Sequence, residues 1–322
     1  MDLIGVDVGG TKVSLCIGDS EGNIHVSKRV ETTSLGTPET GLPKIAELIC
    51  ALIREENIEL EAIKGIGLAL PGPVSTKKEM ILNPPNMPTW VNVPIVQFLR
   101  EKLGRPVFMD NDANAGALGE WMFGGAKHVK NLIYLTMSTG MGGGIITQGQ
   151  LLQGATDTAG EVGHFILDPK GPKCPCGQRG CFEAFCGGLN ASRLLQEKVK
   201  KHKSSLILKE AGGEIDKVDM KCLLAAVKKS DSLALTFWEE YIERLAQGIG
   251  ILLQTLNPDA IILGTIAALN KELVMNPLRA ALPRYAWKAP LEHCHIAPTQ
   301  LGADLGKLGA LAVALHGLAK NS

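Results

Sequence analysis

The sequence predicts an α/β fold of two domains. Three observations carry that expectation. Short apolar runs alternate with stretches of helical periodicity along most of the chain, the pattern of a layered α/β protein. The 322 residues are enough for two cores. A strand-turn-strand unit with a Gly-rich turn occurs twice, at Asp7–Lys12 and at Ser138–Gly144.

The elements follow in order. Leu3–Val8, Val13–Ile17 and Ile24–Val30 are apolar runs separated by Gly9-Gly10 and by Asp19-Ser20-Glu21-Gly22-Asn23, which predicts an antiparallel meander. Pro38 to Asn57 has helical periodicity behind a helix-starting proline. Ile63–Leu70 reads as a buried strand stopped by Pro71-Gly72-Pro73, and a Pro- and Asn-rich loop continues to Val93. Pro94–Leu103 is a helix, Val107–Met109 a strand and Ala113–Phe123 a helix; strands resume at Asn131–Met137 and Gly143–Thr147. Leu189 to Asn257 is mainly helical, Ala260–Leu263 is a buried strand, and an Ala/Leu helix near Leu305–Leu318 is small enough in its side chains to pack closely on another element.

Composition narrows the function classes. Thirty-three basic and 33 acidic residues leave a formal net charge of zero, which removes the electrostatic footprint of a nucleic-acid binder. Met1-Asp2-Leu3 enters a strand at once, without a signal-peptide pattern, and the apolar stretch from Leu245 to Leu263 is broken by polar residues, so no membrane partner and a cytoplasmic location are expected. The eight cysteines in so long a chain do not read as a secreted disulfide scaffold.

Four residues of one cluster point to a metal. His164, Cys174, Cys176 and Cys181 fall within eighteen residues and form a complete N/S set for tetrahedral zinc. Four protein ligands leave no open position, so the ion would be structural. Gly177 and Gly180 permit the tight backbone path. Cys186 could stand in for one of the cysteines. Glu161 and Glu183 flank the cluster and are free for other work.

The two Gly-rich turns suit phosphate, because backbone N–H groups can approach it where no Cβ intervenes. In the first, Asp7, Gly9, Gly10, Thr11 and Lys12 supply a carboxylate for Mg²⁺, bare backbone, a hydroxyl and a cation. The second carries Thr139 and Gly140. Either could equally be a plain hairpin turn. Asp110-Asn111-Asp112-Ala113-Asn114 lies where a strand ends and a helix begins, a usual place for ligands in α/β proteins; there Asn111 or Asp112 could instead only cap the helix.

Taken together these segments resemble the ROK family (repressor, open reading frame, kinase), and within it the bacterial glucokinases. The matching segments are Asp7-Val8-Gly9-Gly10-Thr11-Lys12, Pro71-Gly72, Asn111-Asp112-Ala113-Asn114 and Thr139-Gly140-Met141-Gly142-Gly143-Gly144. Gly160-Glu161-Val162-Gly163-His164, Cys174-Pro175-Cys176-Gly177-Gln178-Arg179-Gly180-Cys181 and Asn257-Pro258-Asp259-Ala260-Ile261-Ile262-Leu263-Gly264 complete the set. The resemblance implies a two-domain, actin-like, hexokinase-type ATPase fold with a central cleft. It implies a smaller domain of residues 1–111 with 304–322 and a larger one of 112–303. It implies transfer of phosphate from ATP with Mg²⁺ to the 6-hydroxyl of a hexose, glucose first, with fructose, mannose and the N-acetylhexosamines as alternatives and a non-catalytic regulator as another. Asp112 would be the general base. Gly72, Asn86, Asn111, Asp112, Glu161, His164 and Glu183 would meet the sugar, and Asp7, Gly9, Gly10, Thr11, Lys12, Thr139, Gly140 and Gly264 the nucleotide. His164 would hold zinc with one ring nitrogen and face the sugar with the other. A homodimer is the default assembly. Against the family pattern, Thr265 follows Gly264 where a second glycine is usual, Ser138 replaces a frequent glycine, and Cys186-Gly187-Gly188 stands where Ser-Gly is usual.

Overall fold

The structure is a computed structural model that describes residues 1–127 and 129–321. The first part of the chain runs β1 (Asp2–Val8), β2 (Lys12–Gly18), β3 (Ile24–Glu31), α1 (Pro38–Glu55), β4 (Ile63–Leu70), β5 (Val74–Ser75), β6 (Met80–Ile81), α2 (Ile95–Leu103), β7 (Val107–Asn111) and α3 (Asp112–Met122). There follow β8 (Leu132–Met137), β9 (Met141–Thr147), β10 (Gln150–Leu151), α4 (Phe182–Cys186), α5 (Gly188–Lys201), α6 (Leu206–Glu210), α7 (Met220–Lys228) and α8 (Ser232–Leu256). The chain closes with β11 (Ala260–Leu263), α9 (Thr265–Leu269), α10 (Lys271–Ala281), α11 (Lys288–His293), β12 (His295–Pro298) and α12 (Leu305–Lys320). Contacts divide it into two compact units: Met1–Tyr134 with Gly144–Gly160 and Gln300–Ser322, and Leu135–Gly143 with Glu161–Thr299.

The first unit is built on a sheet of order β3-β2-β1-β4-β7. The meander expected from the three opening runs is present, with Val8 opposite Val13 in the first hairpin. β4 joins β1 in parallel and β7 joins β4, so their carboxyl ends share one edge. Ile45, Ile49 and Leu52 of α1 and Val96 and Leu99 of α2 bury against Ile66 and Leu68. Leu308 and Leu311 of α12 bury with Leu3 and Cys16. The small-residue helix comes close because the strands offer glycine: a Cβ on Gly5 would lie 2.9 Å from the Lys307 carbonyl oxygen, and one on Gly67 would collide with that of Ala310.

The same logic draws α3 into this unit. A Cβ on Gly309 of α12 would stand 2.8 Å from the Ala115 carbonyl oxygen, so the two helices meet backbone to backbone. Contacts therefore place α3 and residues 144–160 in the first unit, whereas the sequence reading begins its larger domain at Asp112.

A second sheet has the order β10-β9-β8-β11-β12, with β11 and β12 parallel and Ala260 opposite His295. In the second unit α8 starts at an Asp231 cap and stops at Asn257 in the left-handed region, φ 42°. Gly248 of α8 admits the Phe182 ring, which a Cβ would approach to 2.5 Å. The sequence reading assigns no strand to β12, β5 or β6, all of four residues or fewer. Among the described residues, no helix is long and apolar enough to cross a membrane.

Candidate active site

In the first unit the turn after β1 closes with the Gly9 N–H donating to the Lys12 carbonyl oxygen at 2.8 Å. Gly10 and Thr11 are exposed. Gly10 faces the amide of Asn86, which a Cβ would approach to 3.3 Å, so the turn and the Asn86 loop are neighbours. Asp7 stands one residue before the end of β1, beside Gly306 in the first turn of α12. Burial, and then the charge of Asp112, push its carboxyl up to about 7, against the pull of Arg29.

The carboxyl end of β7 carries the next group. Asn111 caps α3, its Oδ1 accepting from the Asn114 backbone N–H at 2.7 Å. Asp112 is the first residue of the helix and is exposed. Its carboxylate lies at the end of α3 where the helix dipole favours negative charge. Gly72 faces Asn111, with a Cβ reaching to within 4.0 Å of the Asn111 Cβ. The unit thus gathers Asp7 with Asp112, Gly10 with Asn86, and Gly72 with Asn111.

In the second unit Thr139 and Gly140 lie in the turn between β8 and β9. The Met141 N–H donates to Oε2 of Glu183 at 3.0 Å. The Gly188 and Leu189 N–H groups donate to the carbonyl oxygens of Ser138 and Thr139, each at 2.9 Å. Four glycines make this possible: a Cβ on Gly140 would sit 2.7 Å from Glu183 Oε2, one on Gly187 2.8 Å from Glu183 Cγ, and those on Gly163 and Gly188 would overlap the carbonyl oxygens of Met141 and Ser138. Gly264 donates its N–H to the Leu135 carbonyl oxygen at 2.8 Å and leads into α9. Thr265 follows it, exposed at the first helical position.

His164, Cys174, Cys176 and Cys181 come together, their ligand atoms all within 4.8 Å of one another. His164 Nδ1 is 3.7 Å from Cys174 Sγ, and the Sγ atoms of Cys176 and Cys181 are 3.7 Å apart. A tetrahedron of zinc–sulfur bonds about 2.3 Å long has edges of about 3.8 Å, so the donor set fits that ion in type and size. Gly177 (φ 95°) and Gly180 (φ 70°) take the left-handed turns that fold the loop. The alternative ligand Cys186 is buried elsewhere, against the Tyr241 carbonyl oxygen at 3.9 Å. Nε2 of His164 points the other way, 3.9 Å from Oε2 of Glu161. Burial raises the Glu161 carboxyl, with His164 opposing and the charge of Glu183 adding.

Two features escape sequence reasoning. The pair Gly187-Gly188 supports the 138–141 turn, although in the sequence it reads only as a departure from the family pattern. Asp110 and Gln153 form a partly buried polar contact at 2.9 Å that no local spacing signals, because they are 43 residues apart.

Similar proteins agree with the architecture. The chain is 34% identical over 313 residues to a glucokinase of Thermotoga maritima, covering 97% of each. It is 30% identical to a xylose repressor of Bacillus spizizenii, covering 97% of this chain and 77% of the repressor. It superposes on a ROK hexokinase from Thermus thermophilus with TM-score 0.84 at 31% identity, over 99% of this chain and all of the other. For a ROK family glucokinase from Streptomyces griseus, solved with glucose and AMPPNP, the TM-score is 0.81 at 30% identity, covering 98% and 100%. The fold is the α/β, actin-like ATPase fold of hexokinase type. With the ROK family pattern matched from residue 3 to residue 316, the chain belongs to the ROK family.

Proposed function

We propose that this chain is an ATP-dependent sugar kinase that phosphorylates a hexose at its 6-hydroxyl, with glucose the first candidate. The observation that carries the reading is the division of labour at the start of α3. Asn111 accepts the capping bond, and Asp112, the first residue of the helix, is exposed beside it, where a base would stand. The likeness to glucokinases over nearly the whole chain supports the choice of substrate.

In this reading the 6-hydroxyl gives its proton to the Asp112 carboxylate as its oxygen attacks the γ-phosphorus, and the bond from that phosphorus to the β–γ bridging oxygen breaks to release ADP. Gly72, Asn86, Asn111, Glu161, His164 and Glu183 orient the sugar. Asp7, Gly9, Gly10, Thr11, Lys12, Thr139, Gly140 and Gly264 receive the nucleotide, and Mg²⁺ enters with ATP as part of the substrate. His164, Cys174, Cys176 and Cys181 hold a structural zinc, which supplies rigidity and no chemistry. The functional halves follow the division 1–111 with 304–322 and 112–303. The enzyme acts in the cytoplasm, as a homodimer by default.

A coupled assay of ADP release with glucose, mannose, fructose, N-acetylglucosamine and N-acetylmannosamine tests the proposal. Turnover with glucose above the others is expected. Turnover with another hexose moves the specificity. Sugar binding without turnover would favour the regulator that the xylose repressor relatives suggest.

A further inference from the structure

We propose that Asp110, Gln153 and Lys320 form a polar relay of fixed direction that positions Asn111 and Asp112, a role resting on the kinase reading above. All three residues belong to the first unit. Asp110 is 4% exposed at the end of β7. Its Oδ1 accepts from the Asn111 N–H at 2.8 Å and from Asn114 Nδ2 at 2.7 Å. Its Oδ2 accepts from Gln153 Nε2 at 2.9 Å. Gln153 Oε1 in turn accepts from Lys320 Nζ, in the last turn of α12, at 3.4 Å.

The carboxylate does not cap the helix, since Asn111 does that. It holds the two residues that make the cap, one on each side of Asp112. The grip on Asn114 is strong enough to dictate that side chain's orientation, because the Asn114 Oδ1 is left buried without a protein partner. Burial pushes the Asp110 carboxyl up to about 6, and the bonds from Asn114, Asn111 and Gln153 pull against that rise.

The direction of the relay follows from donor chemistry. A carboxylate has only acceptors and an ammonium only donors, so the amide between them has one allowed orientation. In Asp110→Asn, the new side chain must keep its oxygen toward Asn111 and Asn114 and present its NH₂ to Gln153 Nε2. Two donors then face each other. If Gln153 turns over, the clash moves to Lys320. In Gln153→Glu, two carboxylates face each other instead. Combining the two changes restores the polarity of both links of the relay, with the negative charge moved one link along, and gives up only the longer bond from Gln153 Nε2 to Thr76 Oγ1 at 3.3 Å. The new amide at position 110 donates to the new carboxylate at position 153, and that carboxylate accepts from Lys320. Removing the far donor, in D110N/K320M, lets Gln153 turn over and accept from the amide at position 110, again with loss of the 3.3 Å bond to Thr76. A network that served stability alone would show its losses and recoveries in thermal stability, with kcat of the folded single variants unmoved.

The test compares wild type, D110N, Q153E, D110N/Q153E and D110N/K320M. The readouts are kcat, both KM values, and amide hydrogen exchange over residues 111–115. Each single change is expected to lower kcat about 10-fold through misplacement of the base, with the ATP KM within about 2-fold. Each double variant is expected to return to within about 3-fold of wild type, the non-additivity of coupled neighbours. Exchange should rank in the same order, faster in the single variants and recovered in the doubles. A wild-type kcat in D110N, or doubles no better than D110N, overturns the relay. If the wild type phosphorylates none of the hexoses, the kinase reading fails, and the exchange ranking alone decides the relay. If a single variant does not fold, folding of D110N/Q153E supports the relay and its failure to fold overturns it.

Discussion

Replacing Asp7 by asparagine should make the protein more stable at pH 8 while impairing its function. Asp7 stands one residue before the end of a strand whose neighbours are buried, and burial is the main reason its carboxyl rises from 3.8 to about 7, with the Asp112 charge second. The sign follows from proton linkage. Between the unfolded and the folded value the folded protein holds more protons than the unfolded chain, so stability falls as pH climbs through that window. The contribution is fully favourable below about pH 4 and is lost as pH passes 7. At 1.36 kcal/mol per pH unit the whole span corresponds to about 4 kcal/mol. Asp7 is only partly buried by surface area, so solvent screening lowers the figure, and about 2 kcal/mol is a working value.

Asp7→Asn keeps the shape and removes the charge. For a unit of this size, about 2 kcal/mol corresponds to an increase of about 4–8 °C in Tm. Thermal unfolding followed by tryptophan fluorescence, at pH steps from about 5 to about 8.5, spans the window in which the charge appears. The gap between variant and wild type should be small at the acid end and widest at the alkaline end. A variant no more stable than wild type at pH 8, or a gap that does not change with pH, refutes the reasoning. The pairing of a stability gain with lost activity is what a carboxylate held at a functional site against its own desolvation produces.

Other outcomes follow from the same geometry. Asp112→Asn should lower kcat by about 10²-fold or more, with sugar affinity measured by fluorescence titration little changed; a kcat near wild type would remove the base. Gly10→Val should raise both the ATP KM and the sugar KM, because the new side chain reaches the Asn86 amide that a Cβ already approaches to 3.3 Å. Elemental analysis should find about one zinc per chain, the capacity of one four-ligand site. Strong chelation or Cys176→Ser should lower Tm and raise both KM values, since metal-binding energy is in part folding energy. Unchanged kinetics in the Cys176→Ser protein would separate the metal from the site.

The first sheet could be read from the sequence because its signals are local: short apolar runs, Gly-Gly and Asp/Asn turns, and a proline stop at Pro71. The Cys/His cluster could be read for the same reason, since four residues of two scarce types lie close together. What could not be read is long-range approach. Nothing near Gly67 announces Ala310, and nothing near Asp110 announces Gln153, because each partner is brought in by packing that local spacing does not encode. The short strand β12 is hidden for a related reason: its four residues gain their strand identity from pairing with β11. Gly187-Gly188 was visible, but its meaning lies in the Ser138 carbonyl that Gly188 reaches, which only the folded chain supplies.

One chain of contacts joins the Cys/His loop to the turn between β8 and β9. Cys181 is at once a member of the Cys/His cluster and the N-cap residue of α4. Two residues on, Glu183 accepts from the Met141 N–H, and one turn later Gly187 and Gly188 pack on the turn from the other side. Gly163, one residue before His164, meets the Met141 carbonyl. The loop that carries the Cys/His cluster therefore meets both polar groups of the Met141 backbone. A disturbance of the cluster should reach residues 138–141 through two short covalent paths, the one through His164 and the one through Cys181. This is why metal loss is expected to move the nucleotide KM together with that of the sugar.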